Sequence, residues 1–175
     1  MVQVAVDVKN ELGISALHWA ARASEASPEL VTFFVHCGLD PFDTDSGGRT
    51  ALHYASTSQN FDIVDFFLKD CFNAERPPES DLLRTFLEAA KGDQLGLVKY
   101  LIEYGVDARY TNFQGKNALH DASAADAIDV LDFLISHVLD LHQADKFGAT
   151  PVLEAARHGQ LECLCHLLNA SGDVT

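Results

Sequence analysis

No long apolar run, no basic cluster and no paired CxxC motif occurs in this 175-residue sequence, and each absence removes a class of protein. Uncharged apolar stretches such as Ile63-Val64 and Phe66-Phe67-Leu68 fall far short of the about 20 residues that a membrane-spanning helix needs. Direct membrane insertion is therefore not expected. The leading residues Met1-Val2-Gln3-Val4-Ala5-Val6-Asp7 hold no basic segment followed by an apolar one, so they do not read as a secretory signal. Twelve Lys and Arg stand against 26 Asp and Glu, a net charge of −14. A nucleic-acid partner would need clustered cations to displace counterions from phosphates, and it is excluded on that ground. The four cysteines, Cys37, Cys71, Cys163 and Cys165, lack the spacing of a zinc site. Reduced thiols in an intracellular protein are the expectation.

What is present is self-similarity. Ser15-Ala16-Leu17-His18-Trp19-Ala20-Ala21 is followed by Thr50-Ala51-Leu52-His53-Tyr54-Ala55-Ser56 and by Asn117-Ala118-Leu119-His120-Asp121-Ala122-Ser123. Arg84-Thr85-Phe86-Leu87-Glu88-Ala89-Ala90 and Thr150-Pro151-Val152-Leu153-Glu154-Ala155-Ala156 are degenerate copies. The fourth position falls at 18, 53, 87, 120 and 153, in steps of 35, 34, 33 and 33. A period near this length marks a stack of small units, none of which can bury its apolar face alone. Hydrophobic residues make up 47% of the chain, enough to form the continuous core such a stack requires.

Each unit reads as turn, short helix, turn, second helix. Glycine-containing turns at Asn10–Gly13, Asp45–Gly48, Asn112–Gly115 and Asp145–Gly148 suit a residue that takes positive φ without steric cost. The spacing predicts first helices over 16–23, 51–58, 83–91, 118–125 and 151–158. Second helices are predicted over 29–36, 61–69, 95–104, 128–138 and 161–168. Asp126 stands where other units have Gly, and Asp tolerates the left-handed conformation better than most residues. The segment Glu75-Arg76-Pro77-Pro78-Glu79-Ser80-Asp81 has no glycine. It predicts an irregular loop, with Ser80 or Asp81 capping the next helix. Cys163 falls where Leu30, Ile63, Leu97 and Val130 stand in the other units, as a small core hydrophobe.

The motif Leu-His-x-Ala-(Ala/Ser), second helices such as Leu97-Val98-Lys99-Tyr100-Leu101-Ile102, and the close Gly105-Val106-Asp107 resemble the ankyrin repeat. Asp145-Lys146-Phe147-Gly148-Ala149-Thr150-Pro151 with Ala155-Ala156-Arg157-His158-Gly159 is the closest single match. The resemblance implies an all-α solenoid of about five helix–turn–helix repeats with hairpin-like turns. As one domain over 1–175, the repeats would occupy 10–44, 45–78, 79–111, 112–144 and 145–175. Residues 1–9 read as the tail of a preceding repeat, so the expectation is a segment of a longer protein. The resemblance also implies that His18, His53 and His120 hydrogen-bond structurally in the turn region. Leu87 and Leu153 depart from that pattern.

No phosphate-binding loop or nucleophile motif is present, so neither an enzyme nor a bound cofactor is expected, and histidines one repeat apart do not converge on a metal ion. The resemblance implies a protein-interaction module, gripping a polypeptide in a concave groove and at the turn tips. The alternative is a regulatory or anchoring segment of a larger multidomain enzyme or channel. Partner-binding candidates at the tips are Leu12, Ile14, Arg49, Phe113, Lys116 and Phe147. On the first helices they are Trp19, Tyr54, Asp121, Glu154 and Arg157. Glu88, Asp121 and Glu154 share a motif position with Trp19 and Tyr54, which reads either as a solvated flank that keeps the stack soluble or as an acidic ladder for a basic partner.

Overall fold

The computed structural model describes residues 8–58, 60–71, 78–137 and 140–172. Pro77, Asp173 and most of the leading tail lie outside them. Ten α-helices and no strand occur among the described residues. In chain order they are α1 (Ala16–Arg22), α2 (Pro28–His36), α3 (Ala51–Thr57), α4 (Phe61–Phe66), α5 (Glu79–Lys91), α6 (Leu95–Tyr104), α7 (Ala118–Ala125), α8 (Ile128–His137), α9 (Pro151–His158) and α10 (Leu161–Ser171). A π-helical turn, Phe67–Cys71, continues α4.

Two expectations are corrected. α5 begins at Glu79 rather than Leu83, so Ser80 and Asp81 lie inside its first turn instead of capping it. Acidic side chains there complement the positive end of the helix dipole, and Glu79 and Asp81 supply them. The second helix of repeat two changes winding at Phe67 rather than running regularly to residue 69.

The chain forms two compact units, dividing between Thr85 and Phe86. In the first, α1 packs on both α2 and α3, α3 on α4, and α2 on α4. In the second, α7 packs on α8 and α9, and α10 on α8 and α9, while α6 packs on α8. Each contact thus joins helices within a repeat or like helices of neighbouring repeats. The alanines make this possible: Ala21, Ala55, Ala89, Ala90, Ala122 and Ala155 have no exposed surface, and small side chains let helix backbones approach closely. Leu17, Leu52 and Leu119 fill the space between. Truncating any one of them to Ala would cost about 2–5 kcal/mol.

Capping explains why the first helices start where they do. At α1 the backbone N–H of Ser15 donates to Nδ1 of His18 at 3.2 Å. Thr50 does the same to His53 at 3.0 Å, and Asn117 to His120 at 3.2 Å. This is a capping box in which His, three residues on, replaces the usual Glu or Gln. Between helices, Asp93 and Asp126 take positive φ of 54° and 62°, as expected for Asp126. Asp93 Oδ1 then accepts from Val130 N (3.0 Å) and Asp126 Oδ1 from Cys163 N (3.2 Å), capping the second helix of the following repeat.

Cys163 is fully buried, and burial pushes its thiol up to about 11. Leu30, its counterpart in repeat one, is exposed while Val31 is buried.

Candidate protein-binding groove

Four turns share one construction. Asn10, Asp45, Asn112 and Asp145 each accept two backbone N–H groups through Oδ1, from the residues two and four positions on. Each also closes a backbone bond from its own N–H to the carbonyl four residues on. Gly13, Gly48, Gly115 and Gly148 follow with φ of 70–82°, a region costly for residues with a Cβ. At Gly13 and Gly115 an added Cβ would also meet neighbouring backbone at 3.1 Å. Such turns hold their tip residues away from the core, which leaves those side chains available for contact.

In the first unit a groove of about 390 Å³ opens beside the Asn10 and Asp45 turns. Leu12, Ile14, Trp19, Arg49 and Tyr54, five of the expected contact residues, line it with Asn10, Arg22, His53 and Thr57. Leu12 and Trp19 are 57% and 51% exposed and form the open wall. Ile14 and Tyr54 are buried, at 8% and 6%, and serve as floor rather than free surface. The Tyr54 hydroxyl donates to Asp45 Oδ2 at 2.7 Å, and its ring meets His18 edge-on at 5.2 Å. Arg49 lies 5.1 Å above the same ring while its Nε and Nη2 reach Asp45 Oδ2, each at 2.8 Å.

Burial alone would raise the Asp45 carboxyl. The Arg49 N–H, the Tyr54 hydroxyl, the Arg49 guanidinium and the Gly47 N–H outweigh it and hold Asp45 well below the usual carboxylate range. The groove floor is thus fixed by a buried, fully bonded anion. Arg22 lies 5.8 Å over the Trp19 ring, a cation–π distance. Sequence reasoning missed Arg22 and Asp45. Arg22 follows Trp19 by three residues and so shares its helix face; Asp45 belongs to the same turn series as Asn10.

In the second unit, Phe113 and Phe147 are 83% and 80% exposed at their tips. Lys146 joins the two turns, its Nζ donating to the Phe113 carbonyl at 2.7 Å and its N–H to that of Gln114 at 2.9 Å. The remaining candidates gather around Glu154, which is buried. Lys116 Nζ lies 2.9 Å from its Oε1 and Arg157 3.8 Å, with His158 Nε2 3.5 Å from Oε2. Burial works to raise Glu154, but the Lys116 bond and charge prevail and lower it. Asp121 is half-buried, and burial pushes its carboxyl up to about 6 despite the charges of Lys116 and Lys91. Of the three acids in the suggested ladder, only Glu88 stands exposed, so the arrangement gives a basic partner no support.

No group of three or more His, Cys, Asp or Glu among the described residues could hold a metal ion. No described helix is long and apolar enough to cross a membrane.

A family model described as ankyrin repeats, three copies, matches residues 1–76 and again 86–175. The chain belongs to the ankyrin-repeat family. Ankyrin repeats are in general protein-interaction modules. Similar proteins include an ankyrin repeat protein of Rickettsia felis, 29% identical over 83% of this chain and 38% of its own length. An E3 ubiquitin-protein ligase of Arabidopsis thaliana is 33% identical over 61% of the chain and 7% of its own length. The human neurogenic locus notch homolog protein 2 is 36% identical over 49% and 4%. The chain thus spans well under half the length of these relatives.

Proposed function

We propose that this ankyrin array is an intracellular protein-interaction module that holds a polypeptide partner in the groove of its first unit. The observation that carries the reading is the exposure of Leu12 and Trp19 beside a floor locked by Asp45. A wall of apolar side chains over a rigid, polar-anchored base is what interface hot spots are made of. Phe113 and Phe147 offer a second apolar surface in the other unit.

Trp19 is the sole tryptophan, so its emission reports directly on the groove. A partner captured from lysate and identified by mass spectrometry should shift that emission on titration. Leu12→Ser should weaken its binding, while Phe113→Ser with Phe147→Ser tests the tips. A partner bound equally well by both variants, with Trp19 emission unmoved, would remove the groove from the account.

A second reading, a regulatory or anchoring segment of a larger enzyme or channel, draws on the ubiquitin ligase relative, where the matched part is 7% of the protein. Binding of the groove to a flanking segment of the same polypeptide, supplied as a separate peptide, would favour it.

A further inference from the structure

We propose that the groove of the first unit takes an acidic polypeptide segment, with an apolar side chain between Leu12 and Trp19 and a carboxylate on Arg22. The proposal rests on the groove reading above and adds the partner's chemistry.

Charge complementarity decides it. The chain carries 26 acidic residues against 12 basic, yet the charged side chains lining the groove are two arginines, with no Asp or Glu among them. Arg49 is already balanced by Asp45, whose side chain is 1% exposed beneath it. Arg22 has no such partner. It is exposed and lies against the face of Trp19, its charge also reaching the Tyr54 phenol. A guanidinium lying on an indole keeps its N–H edge outward, and that planar fork fits a carboxylate. Its apolar neighbours, Trp19 and Leu12, supply the anchoring surface, so charge and anchor lie side by side. Glu11 is exposed on the adjoining tip but does not line the groove.

A basic segment would meet Arg22 as a like charge. A nucleic acid presents a phosphate at every step and needs several cations to bind it, whereas one unpaired arginine suits a peptide with isolated carboxylates. The groove volume of about 390 Å³ lies at the small end of ligand sites and matches a short extended segment.

The test uses three capped octapeptides sharing a central Leu-Phe pair, flanked by Asp and Glu, by Lys and Arg, or by Ser and Gln. Affinity is read from Trp19 emission at low and high salt. The acidic peptide should bind roughly fivefold more tightly than the neutral one at low salt, and the advantage should shrink as salt rises. Arg22→Gln should abolish that preference, bringing the ratio of acidic to neutral affinity to about one, with Arg22→Lys keeping part of it. Equal binding of acidic and neutral peptides, or a preference that survives Arg22→Gln, would overturn the acidic assignment while leaving the groove intact. If no peptide moves Trp19 emission up to millimolar concentration, both the assignment and the groove reading fall. A ten-nucleotide single strand bound as tightly as the acidic peptide, with the same loss in Arg22→Gln, would overturn the peptide in favour of a nucleic acid.

Discussion

His18 donates its Nε2 proton to the carbonyl oxygen of Arg49, 3.1 Å away in the next repeat. The tautomer follows from the other ring nitrogen, since Nδ1 accepts the Ser15 N–H. His120 repeats the arrangement with Ala149 at 3.0 Å. His53 does not, because its buried Nε2 has no hydrogen-bond partner. The carbonyl that should receive it belongs to Leu83, and Leu83 lies inside α5, where carbonyls serve the helix. Starting α5 at Glu79 thus removed the hairpin of repeat three and the acceptor with it. Arg84, on the same helix, takes over part of the task by donating to the carbonyls of Gly48 (2.9 Å) and Gly47 (3.1 Å).

That orphaned ring should make the protein acid-sensitive. Burial first, then the charge of Arg84, push His53 down to about 4; Arg49 and His18 add to this and Asp45 opposes it. An unfolded chain protonates the ring near 6.5, so between about 6.5 and 4 the unfolded state binds more protons. Stability is full above 6.5 and falls as pH drops through that window, by roughly 3 kcal/mol in all. Denaturant melts at pH 7, 6, 5 and 4 should show the slope, and His53→Gln, which keeps the capping-box geometry, should flatten it. At pH 7 His18→Gln should cost about 1 kcal/mol more than His53→Gln, because only His18 loses a made bond. Equal costs would contradict the assignment.

The recurring Leu-His-x-Ala pattern made the repeats, their helices and the buried alanines legible, because close packing demands those residues at that period. Leu12, Phe113 and Phe147 were legible as tips for the opposite reason: folding asks little of them. Tyr54 and Glu154 were not, since the same motif position carries exposed Trp19 and exposed Glu88. What separates them is a partner distant in sequence, Asp45 for Tyr54 and Lys116 for Glu154. Periodicity says where a side chain sits and is silent on what lies opposite. The early start of α5 was hidden for a related reason: Pro77-Pro78 ended the turn series without indicating how soon a helix would follow.

Asp121 should behave oppositely to His53. Burial, with Glu88 and Glu154 nearby, raises its carboxyl to about 6, and Lys116 and Lys91 only partly compensate. The folded chain therefore keeps a proton that the unfolded chain releases near 3.9. The stability this gives is present at low pH and is lost as pH rises from about 4 to 6. At pH 7 the ionised, half-buried carboxylate is a net cost. Asp121→Asn should raise stability at pH 7 by about 1–2 kcal/mol, allowing for partial exposure, and have no such effect at pH 3.5. Thermal melts at the two pH values check this. Destabilisation at pH 7 would show that Asp121 is held by a favourable contact instead.

Tyr54 ties groove to fold, and its hydroxyl can be removed without changing the ring. Burial first, and then the bond to Asp45, hold the phenol proton above its usual range. Below pH 10 the folded state has the full benefit; as pH rises through the folded value that benefit is lost. Tyr54→Phe deletes one of the bonds on Asp45 Oδ2 but leaves Arg49 Nε and Nη2 in place. The expected loss at pH 7 is therefore moderate, about 1–2 kcal/mol, with the alkaline loss of stability that the Tyr54 phenol contributes removed. Asp45→Ala is the harsher change. It leaves the N–H groups of Gly47 and Arg49 and the Tyr54 hydroxyl without their acceptor, and should cost more than Tyr54→Phe, about 2–4 kcal/mol. The two variants also separate floor from wall. Tyr54→Phe retains ring, Trp19 and Leu12, so Trp19 emission and peptide affinity should stay at their native values even as stability falls. Asp45→Ala should loosen the Asp45–Gly48 turn and shift both. Unequal peptide affinity between native protein and Tyr54→Phe would mean that the hydroxyl faces the ligand rather than the buried aspartate.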